Sequence, residues 1–273
     1  GSARLVLVAT PIGNLGDLSP RAVETLSTAD LVACEDTRRT GRLLQHAGIV
    51  GSELLRLDAH TEERAAETVV RRLDAGAIVA LVSDAGMPGI SDPGERVVRR
   101  VVEAGHRVEV VPGPLAPVAA VAASGLAGDR WCMEGFLPRK GSARAGRLAE
   151  LSVEERTMVI FESPHRLAAT LVDLSTAMGG GRRLVVAREM TKLHEEFWRG
   201  TLDEAVGFAS QGLKGELVLV VEGSPPVAEA DDDRIRAVLA EALDAGASTR
   251  DAADEVSRRL GVSRRRAYRL ALE

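Results

Sequence analysis

Short apolar runs alternate with amphipathic segments through the first part of the chain, and this alternation limits the fold more than any other feature. The runs have four to six residues and read as buried strands: RLVLVA (4–9), LVAC (31–34), IVALV (78–82) and VEVVP (108–112). Segments of helical period separate them, and the first helix is predicted to begin at Ser19-Pro20, an N-cap followed by proline. Strands separated by helices in this way favour a mostly parallel, doubly wound α/β sheet.

A second α/β region follows the segment PGPLAP (112–117), which cannot continue a strand or a helix. Its predicted strands are Trp131–Glu134, Thr157–Glu162, Leu184–Arg188 and Leu217–Glu222. The stretch EEFWRGTL alternates polar and apolar residues and can pair as a hairpin, so we predict a mixed second sheet. We therefore expect one α/β domain over residues 3–114 and another over residues 115–224.

The end of the chain has a different pattern. After the Pro-rich and acidic linker GSPPVAEADDD (223–233) come three helical patterns and no strand-like run. Within them, STRDAADEVSRRLGVSRRRAYRLAL reads as helix, glycine-containing turn, helix, the order of a helix-turn-helix. We predict a small helical appendage over residues 230–273.

Charge and hydropathy narrow the possible partners. The net charge of −5 argues against a chain coated in nucleic acid, so such contact needs a local basic patch. No apolar run approaches the ~20 residues that span a bilayer, so we expect no membrane segment and a cytoplasmic location. The chain has only two Trp, one Tyr and four Phe, which argues against an aromatic sheet for stacking bases.

The sequence contains two basic patches that could bind nucleic acid. The first, beside a Gly-Ser loop, holds Arg139, Lys140 and Arg144, and the motif ESPHR adds Arg166. The second lies in the helix-turn-helix pattern and consists of Arg258, Arg259, Arg264, Arg265, Arg266 and Arg269, with no acid among them. We expect these residues to bind nucleic acid.

Three loops at predicted strand ends point to a ligand. They are TPIGNLGD (10–17), SDAGMPGISDPG (83–94) and PGPL (112–115), and an open α/β sheet binds ligands beyond the carboxyl ends of its strands. None carries a dinucleotide or P-loop fingerprint, and none indicates a metal site. Glycine-rich backbone can read an adenine, and carboxylates suit an ammonium or sulfonium. The loops therefore predict an adenosine-bearing cation.

The motifs TPIGNL, ACEDTRRTGRLL, SDAG-P-ISDPG, EGFLPRKG, FESPHR, AREMTK and KGELVLVVEG stand in this order between Leu5 and Gly223. Together they resemble the ribosomal RNA small subunit methyltransferase I family, which belongs to the tetrapyrrole methylase superfamily. The resemblance implies two α/β domains with S-adenosylmethionine in the cleft between them. It also implies a homodimer that methylates the 2′-oxygen of a cytidine in the decoding region of small-subunit ribosomal RNA.

The resemblance further implies the residues that hold the cofactor. They are Pro11, Gly13, Ser83, Asp84, Ala85, Gly86, Met87, Pro114, Leu115, Ala116, Gly215 and Glu216. Asp84 would lie beside the positive methionine portion, and Gly86 would let the backbone approach the ligand. Met87 and Leu115 replace the small polar residues usual in the family, which places cofactor recognition on the backbone. Asp92 is expected to cap the following helix instead.

Charged residues that follow predicted strands are candidates for catalysis. A ribose hydroxyl is a poor nucleophile until a base takes its proton or a cation stabilises its alkoxide. ACEDTRRTG offers Asp36 and Arg38, AREMTKLHEE offers Glu189 and Lys192, and DAHTEE adds His60. We expect Lys192 or Asp36 to be the base or the alkoxide stabiliser.

Two alternative functions remain open from the sequence. A methyltransferase of tetrapyrrole precursors would share the fold, although the two basic patches argue against it. A DNA-binding regulator that only senses S-adenosylmethionine would use the helix-turn-helix pattern to read base edges.

Overall fold

The computed structural model describes residues 2–58, 61–225 and 230–273. Its first sheet has five strands, all parallel, in the order β3-β2-β4-β1-β5. They are β1 (Arg4–Val8), β2 (Leu31–Cys34), β3 (Leu54–Arg56), β4 (Ile78–Leu81) and β5 (Arg107–Val111). The predicted parallel sheet is confirmed, and only the short edge strand β3 went unpredicted.

Helices cover both faces of this sheet. They are α1 (Pro20–Thr28), α2 (Thr37–His46), α3 (Glu62–Asp74) and α4 (Glu95–Glu103). Helix α1 begins as predicted, because the Ser19 hydroxyl accepts from the N–H of Ala22 at 3.1 Å. Alternate strand residues face opposite layers: Leu5 packs in one core with α3 and α4, while Val6 packs in the other with α1 and α2.

The second sheet is mixed, as predicted, with strand order β6-β7-β10-β8-β9. Its strands are β6 (Trp131–Phe136), β7 (Thr157–Glu162), β8 (Arg183–Arg188), β9 (Glu196–Thr201) and β10 (Leu217–Val221). The pair β6–β7 is parallel, and the pairs β7–β10, β10–β8 and β8–β9 are antiparallel. Strands β6, β7 and β8 therefore end at the same edge of the sheet, where β10 begins.

Four helices pack on the second sheet: α5 (Ala116–Ser124), α6 (Gly141–Ser152), α7 (Pro164–Met178) and α8 (Leu202–Ala209). Helix α5 packs on one face of the sheet through Ala120 and Val121, in a core that also includes Ile12 from the segment after β1. The loop after β1 therefore packs with the core of the second sheet.

Residues up to Gly223 form one compact unit, and Ser224–Glu273 form another. We keep residue 114 as the proposed boundary between the two α/β domains, because β5 ends at Val111 and α5 begins at Ala116. Within the predicted linker, residues 226–229 lie outside the described residues. No helix in the described ranges is long and apolar enough to cross a membrane.

The C-terminal unit holds the three predicted helices, α9 (Asp232–Asp244), α10 (Thr249–Leu260) and α11 (Arg264–Leu270). They enclose a core of their own, with Ile235, Leu239, Val256 and Leu270 at its centre. Gly261, in the left-handed conformation with φ +66°, ends α10 and allows the turn into α11.

Candidate active site

The strand ends of both sheets enclose a cleft of about 380 Å³. Segments after β1, β4 and β5 contribute from the first sheet, and the ends of β6, β7, β8 and the start of β10 from the second. The lining residues are Ile12, Ala85, Met87, Ile90, Ser91, Asp92, Leu115, Ala116, Pro117, Phe136, Phe161, Glu162, Ser163, Pro164, Met190, Gly215, Glu216, Leu217 and Val218. The volume falls within the range of roughly 300–1,000 Å³ typical of small-molecule sites.

The charges in this cleft have one sign. Asp92, Glu162 and Glu216 line it, and the described lining contains no Lys, Arg or His. Burial raises the pKa of Asp92, a hydrogen bond with Ser83 opposes that rise, and the charge of Asp84 adds to it. An apolar cleft edged with carboxylates suits a cation with an apolar body and disfavours a phosphate. The adenosine-bearing cation predicted from the loops therefore fits these residues.

The loop after β4 is folded against the segment after β1. The N–H of Gly86 donates to the carbonyl of Thr10 at 3.0 Å, and the N–H of Thr10 donates back at 2.9 Å. Gly86 has φ +89°, and a Cβ on it would lie 3.4 Å from Ile12 and 3.5 Å from the Pro114 carbonyl oxygen. The positive φ value therefore explains why glycine occupies position 86. Its close approach to a ligand remains a proposal.

Asp84 and Asp36 organise the start of helix α2. Asp84 Oδ1 accepts from the N–H of Asp36 at 3.1 Å, and Asp84 Oδ2 lies 3.5 Å from Arg39. Asp36 is the N-cap and accepts from the N–H of Arg38 at 2.8 Å. That hydrogen bond is the main cause of the lowered pKa of Asp36, so its carboxylate is a weak base. Arg38 is 88 % exposed, and neither Asp36 nor Arg38 lines the cleft.

The prediction that Asp92 caps helix α4 is wrong. The N-cap is Gly94, with φ +133°, and Asp92 stands two residues before it. The carboxylate that binds the helix start belongs to Glu62 of α3, which accepts from the N–H groups of Gly94 at 2.9 Å and Arg96 at 3.0 Å. Asp92 is thereby left to line the cleft.

A cluster of three charged residues stands at the edge of the cleft. Lys192 Nζ donates to Glu189 Oε1 at 2.8 Å and to Glu216 Oε2 at 2.9 Å, and Glu216 lines the cleft. Burial acts to lower the pKa of Lys192, but its hydrogen bonds to both carboxylates outweigh burial, and the pKa is raised. Lys192 is therefore an ammonium, which can stabilise a negative oxygen but cannot accept a proton.

Two glycines make room for this cluster. A Cβ on Gly13 would lie 2.6 Å from Lys192 Cγ, and a Cβ on Gly215 would lie 2.5 Å from Glu189 Cδ. Glu189 and Thr191 also have positive φ values, +51° and +67°. Such conformations cost non-glycine residues roughly 1–3 kcal/mol each and are concentrated at functional sites. The segment that bears Lys192 is therefore held in an unusual conformation by close backbone packing.

The structure divides the predicted cofactor residues into two groups. Six line the cleft: Ala85, Met87, Leu115, Ala116, Gly215 and Glu216. The other six, Pro11, Gly13, Ser83, Asp84, Gly86 and Pro114, are not among its lining residues. Sequence reasoning missed the lining residues Ile12, Phe136, Phe161 and Met190. The signal was available, because these residues lie within the motifs TPIGNL, EGFLPRKG, FESPHR and AREMTK, respectively.

The basic residues predicted to bind RNA also divide. Arg139 and Lys140 are exposed and form no hydrogen bond or ion pair with the described residues. Arg144 is only 11 % exposed and donates to Asp173, Thr170 and the Pro138 carbonyl. Arg166 donates to the carbonyl of Leu137 at 2.9 Å and lies 3.5 Å from Glu162.

Within the C-terminal unit, three of the six arginines join helices to one another. Arg259 pairs with Glu241 at 3.1 Å, Arg264 pairs with Asp254, and Arg266 pairs with Asp232 at 2.7 Å. The remaining arginines, Arg258, Arg265 and Arg269, pair with no carboxylate in the part of the chain that the structure describes. His60, the other predicted candidate, lies outside the described residues.

Comparisons with known proteins agree with these features. The family model of tetrapyrrole (corrin/porphyrin) methylases matches residues 4–206. The chain is 47 % identical to the ribosomal RNA small subunit methyltransferase I of Synechocystis sp., over 98 % of this chain and 97 % of that protein. It is 43 % identical to the enzyme of the same name from Escherichia coli O157:H7, over 99 % and 95 %.

Solved structures extend the likeness in fold. The chain resembles uroporphyrin-III C-methyltransferase from Thermus thermophilus complexed with S-adenyl homocysteine. The TM-score is 0.57 at 17 % identity, over 80 % of this chain and 96 % of that one. The predicted fold class and the family resemblance are confirmed. The chain belongs to the tetrapyrrole methylases and, among them, to the ribosomal RNA small subunit methyltransferase I family.

Proposed function

We propose that this protein transfers a methyl group from S-adenosylmethionine to the RNA of the small ribosomal subunit, at the ribose 2′-oxygen of a cytidine. The observation that carries the proposal is the Lys192 ammonium, held at the edge of a cleft that suits an apolar cation. Relatives at 43 % and 47 % identity are named as small-subunit ribosomal RNA methyltransferases, which supports the substrate class. The 2′-oxygen, the cytidine and the decoding region follow from the family resemblance.

The part of the cleft formed by the segments after β4, β5 and β8 would hold the cofactor, which supplies, when bound, a methyl group on a positively charged sulfur. Met87, Leu115 and Met190 give the apolar surface. Polar recognition then falls to backbone groups of the β4 and β5 loops and to the carboxylate of Asp92, which has the sign that a cation requires. The S-adenyl homocysteine in the Thermus thermophilus structure supports this assignment.

Lys192 and Glu216 would act on the acceptor hydroxyl. Fixed in place by two carboxylates, the ammonium of Lys192 stabilises the negative charge that develops on the ribose oxygen without rearranging during the reaction. Glu216 lies 2.9 Å from Lys192 Nζ through Oε2, its side chain is 73 % exposed, and it is the acceptor for the hydroxyl proton. Asp36 does not take this role, because its carboxylate is engaged as a helix cap.

The RNA footprint would consist of the cations without a carboxylate partner in the described residues: Arg139 and Lys140 in the body, and Arg258, Arg265 and Arg269 in the C-terminal unit. Replacing Arg265 and Arg269 by alanine should weaken RNA binding and lower the dependence of log Kd on log salt by about 1.4 for two contacts to single-stranded RNA. Arg259→Ala is the matched control, because Arg259 pairs with Glu241. If log Kd depended on log salt concentration equally in the double variant and the control, Arg265 and Arg269 would not contact the RNA.

We also propose that the protein acts as a homodimer in the cytoplasm, where ribosomal subunits are its substrate. Support comes from the exposed side of α5, which is apolar: Val118 is 47 % exposed, and Ala119, Ala122 and Ala123 are exposed beside it. Sedimentation at micromolar concentration tests the assembly. A monomer under those conditions would contradict it.

Methylation mapping tests the function and both alternatives. Small subunits that lack the modification are incubated with the protein and labelled S-adenosylmethionine, and ribose methylation is mapped along the RNA. We expect one labelled cytidine with the wild type and, after the same incubation, strongly reduced label at that position with Lys192→Met. Label in a tetrapyrrole precursor but not in RNA would favour the tetrapyrrole reaction. Sequence-specific binding to duplex DNA without any methyl transfer would favour the regulator.

A further inference from the structure

We propose that Phe136, at the mouth of the cleft, stacks on an unpaired base of the RNA substrate, while Arg139 and Lys140 bind the adjoining phosphates. This inference rests on the proposed function and deepens it by assigning the residues that receive the nucleotide.

The exposure of Phe136 is the first observation. It is 62 % exposed at the end of β6, whereas the next residue, Leu137, is 2 % exposed. Among the described aromatic residues, only Phe136 and Tyr268 count among the exposed large hydrophobic side chains. An open aromatic ring beside a small-molecule cleft is a surface on which any base can stack, because every base has a π-face.

The Phe136 ring packs against another aromatic ring. Its centroid lies 5.5 Å from that of Phe161, with the planes tilted by 39°, and both residues line the cleft. The same cleft is lined by Glu216, which binds Lys192. A base stacked on Phe136 would therefore lie in the same cleft as the residues proposed to act on the hydroxyl.

Two arginines hold the backbone of Leu137 and Pro138, which follow Phe136. The carbonyl of Leu137 accepts from Arg166 at 2.9 Å, and the carbonyl of Pro138 accepts from Arg144 at 2.9 Å. Glu162, 3 % exposed, accepts from the hydroxyl of Thr170, which in turn accepts from Arg144. This network holds the loop in place before any RNA binds, which lowers the entropic cost of binding.

Charge then selects the class of partner. Arg139 and Lys140 follow Phe136 by three and four residues and have no ion pair within the described ranges, whereas nearby Arg147 pairs with Glu134 and Glu150. Free cations beside an exposed ring suit a polyanion that carries bases. The adenine of the cofactor is less suited to this ring, because a ring left so open would leave that adenine in solvent.

Binding of a fluorescein-labelled oligocytidylate tests the proposal independently of methyl transfer. We expect Phe136→Leu to raise the Kd for the oligocytidylate about 10- to 100-fold without changing the dependence of log Kd on log salt concentration. Phe136→Tyr, which keeps an aromatic ring, should bind as the wild type does. Replacing both Arg139 and Lys140 by alanine should weaken binding and lower the slope by about 1.4. Val50→Ala, at another exposed apolar side chain (89 % exposed), is the matched control and should change nothing.

Calorimetry with S-adenosylmethionine and thermal melts accompany each variant. Cofactor affinity within about twofold of the wild type, together with weakened oligocytidylate binding, supports the proposal. Unchanged oligocytidylate binding by Phe136→Leu overturns it, and so does a loss of cofactor affinity equal to the loss for RNA, because the ring would then belong to the cofactor site. Wild-type protein that binds oligocytidylate through Phe136 but methylates no small-subunit RNA would contradict the proposed function alone.

Discussion

The segment after β2 and the segment after β8 look alike in the sequence, yet the structure uses them differently. Both place acidic and basic residues directly after an apolar strand. After β2, the carboxylate of Asp36 is engaged by backbone N–H groups at the start of α2, and Arg38 extends into solvent. After β8, no helix follows, and Glu189 and Lys192 pair with each other and with Glu216 at the edge of the cleft.

The difference lies in what the backbone leaves free. A nearby carboxylate accepts hydrogen bonds at a helix start, because the first N–H groups of a helix have no partner within it. That carboxylate is then not available for other contacts. A loop in left-handed conformations, closely packed between Gly13 and Gly215, instead presents its side chains to one another. Catalytic capacity in a charged motif therefore depends on the element that follows it more than on its composition.

The largest expected effect separates the two segments by activity. Lys192→Met removes the charge at similar size, and loss of one donor to a developing oxyanion typically lowers kcat about 100- to 1,000-fold. Asp36→Ala should leave kcat of the folded enzyme unchanged. Single-turnover methyl transfer to small subunits measures both. A comparable loss of kcat in the two variants would show that Asp36 also takes part in catalysis.

Crowding the backbone beside Lys192 should have the next largest effect. Gly13→Ala places a Cβ against the stem of Lys192, and the ammonium must shift. A misplacement of about 1 Å can cost 100-fold, so we expect kcat to fall about 10- to 100-fold with a well-folded protein. Gly41→Ala in α2 is the control, since nothing lies within 4 Å of its Cβ, and it should be as active as wild type. Full activity in Gly13→Ala would show that the cluster tolerates displacement.

A smaller effect concerns pH. The pKa of Lys192 is raised by its hydrogen bonds to Glu189 and Glu216. The ammonium is the active form, so Lys192 sets the alkaline limb of the profile: activity is lost as the pH rises through its pKa. Glu189→Gln removes one carboxylate charge and lowers the pKa of Lys192, so the alkaline limb of kcat should move to lower pH. An unmoved limb in the pH–rate profile would mean that Lys192 does not control it.

The smallest expected effect is on stability alone. Asp36→Ala removes the cap of α2, and the melting temperature should fall by a few degrees. Because the folded-state pKa of Asp36 is lowered, its contribution is full above the usual carboxyl pKa and is lost as the pH falls through the lowered value. Melts of wild type and variant should therefore converge in acid. A constant difference at all pH values would show that the carboxylate charge is not involved.

The sequence was sufficient to predict the fold class, because strand and helix periods are local properties. It predicted both sheets, the parallel direction of the strands in the first, the mixed character of the second and the helical tail. Strand β3 escaped because Leu54–Arg56 is too short to show a period. Half of the predicted cofactor residues line the cleft. Of the other six, Gly13 lies against the side chain of Lys192 at the edge of the cleft.

The contacts that the sequence could not predict share a physical cause. The role of Asp92 depended on Glu62, 30 residues earlier, which reaches the start of α4 from α3. The positions of Arg144 and Arg166 depended on a network with buried Glu162 and Thr170. Long-range partners of this kind leave no trace in local composition or periodicity.

The cap that Glu62 provides couples the start of α4 to the packing of α3. Helix α4 has no side-chain cap from its own N-cap residue, so its first turn gains this partner only when α3 docks beside it. The loop after β4 ends at that turn, so the position of its last residues depends on the contact between α3 and α4. Amide hydrogen exchange at Gly94 and Arg96 should accordingly report the docking of α3, and these amides should exchange together with that helix pair.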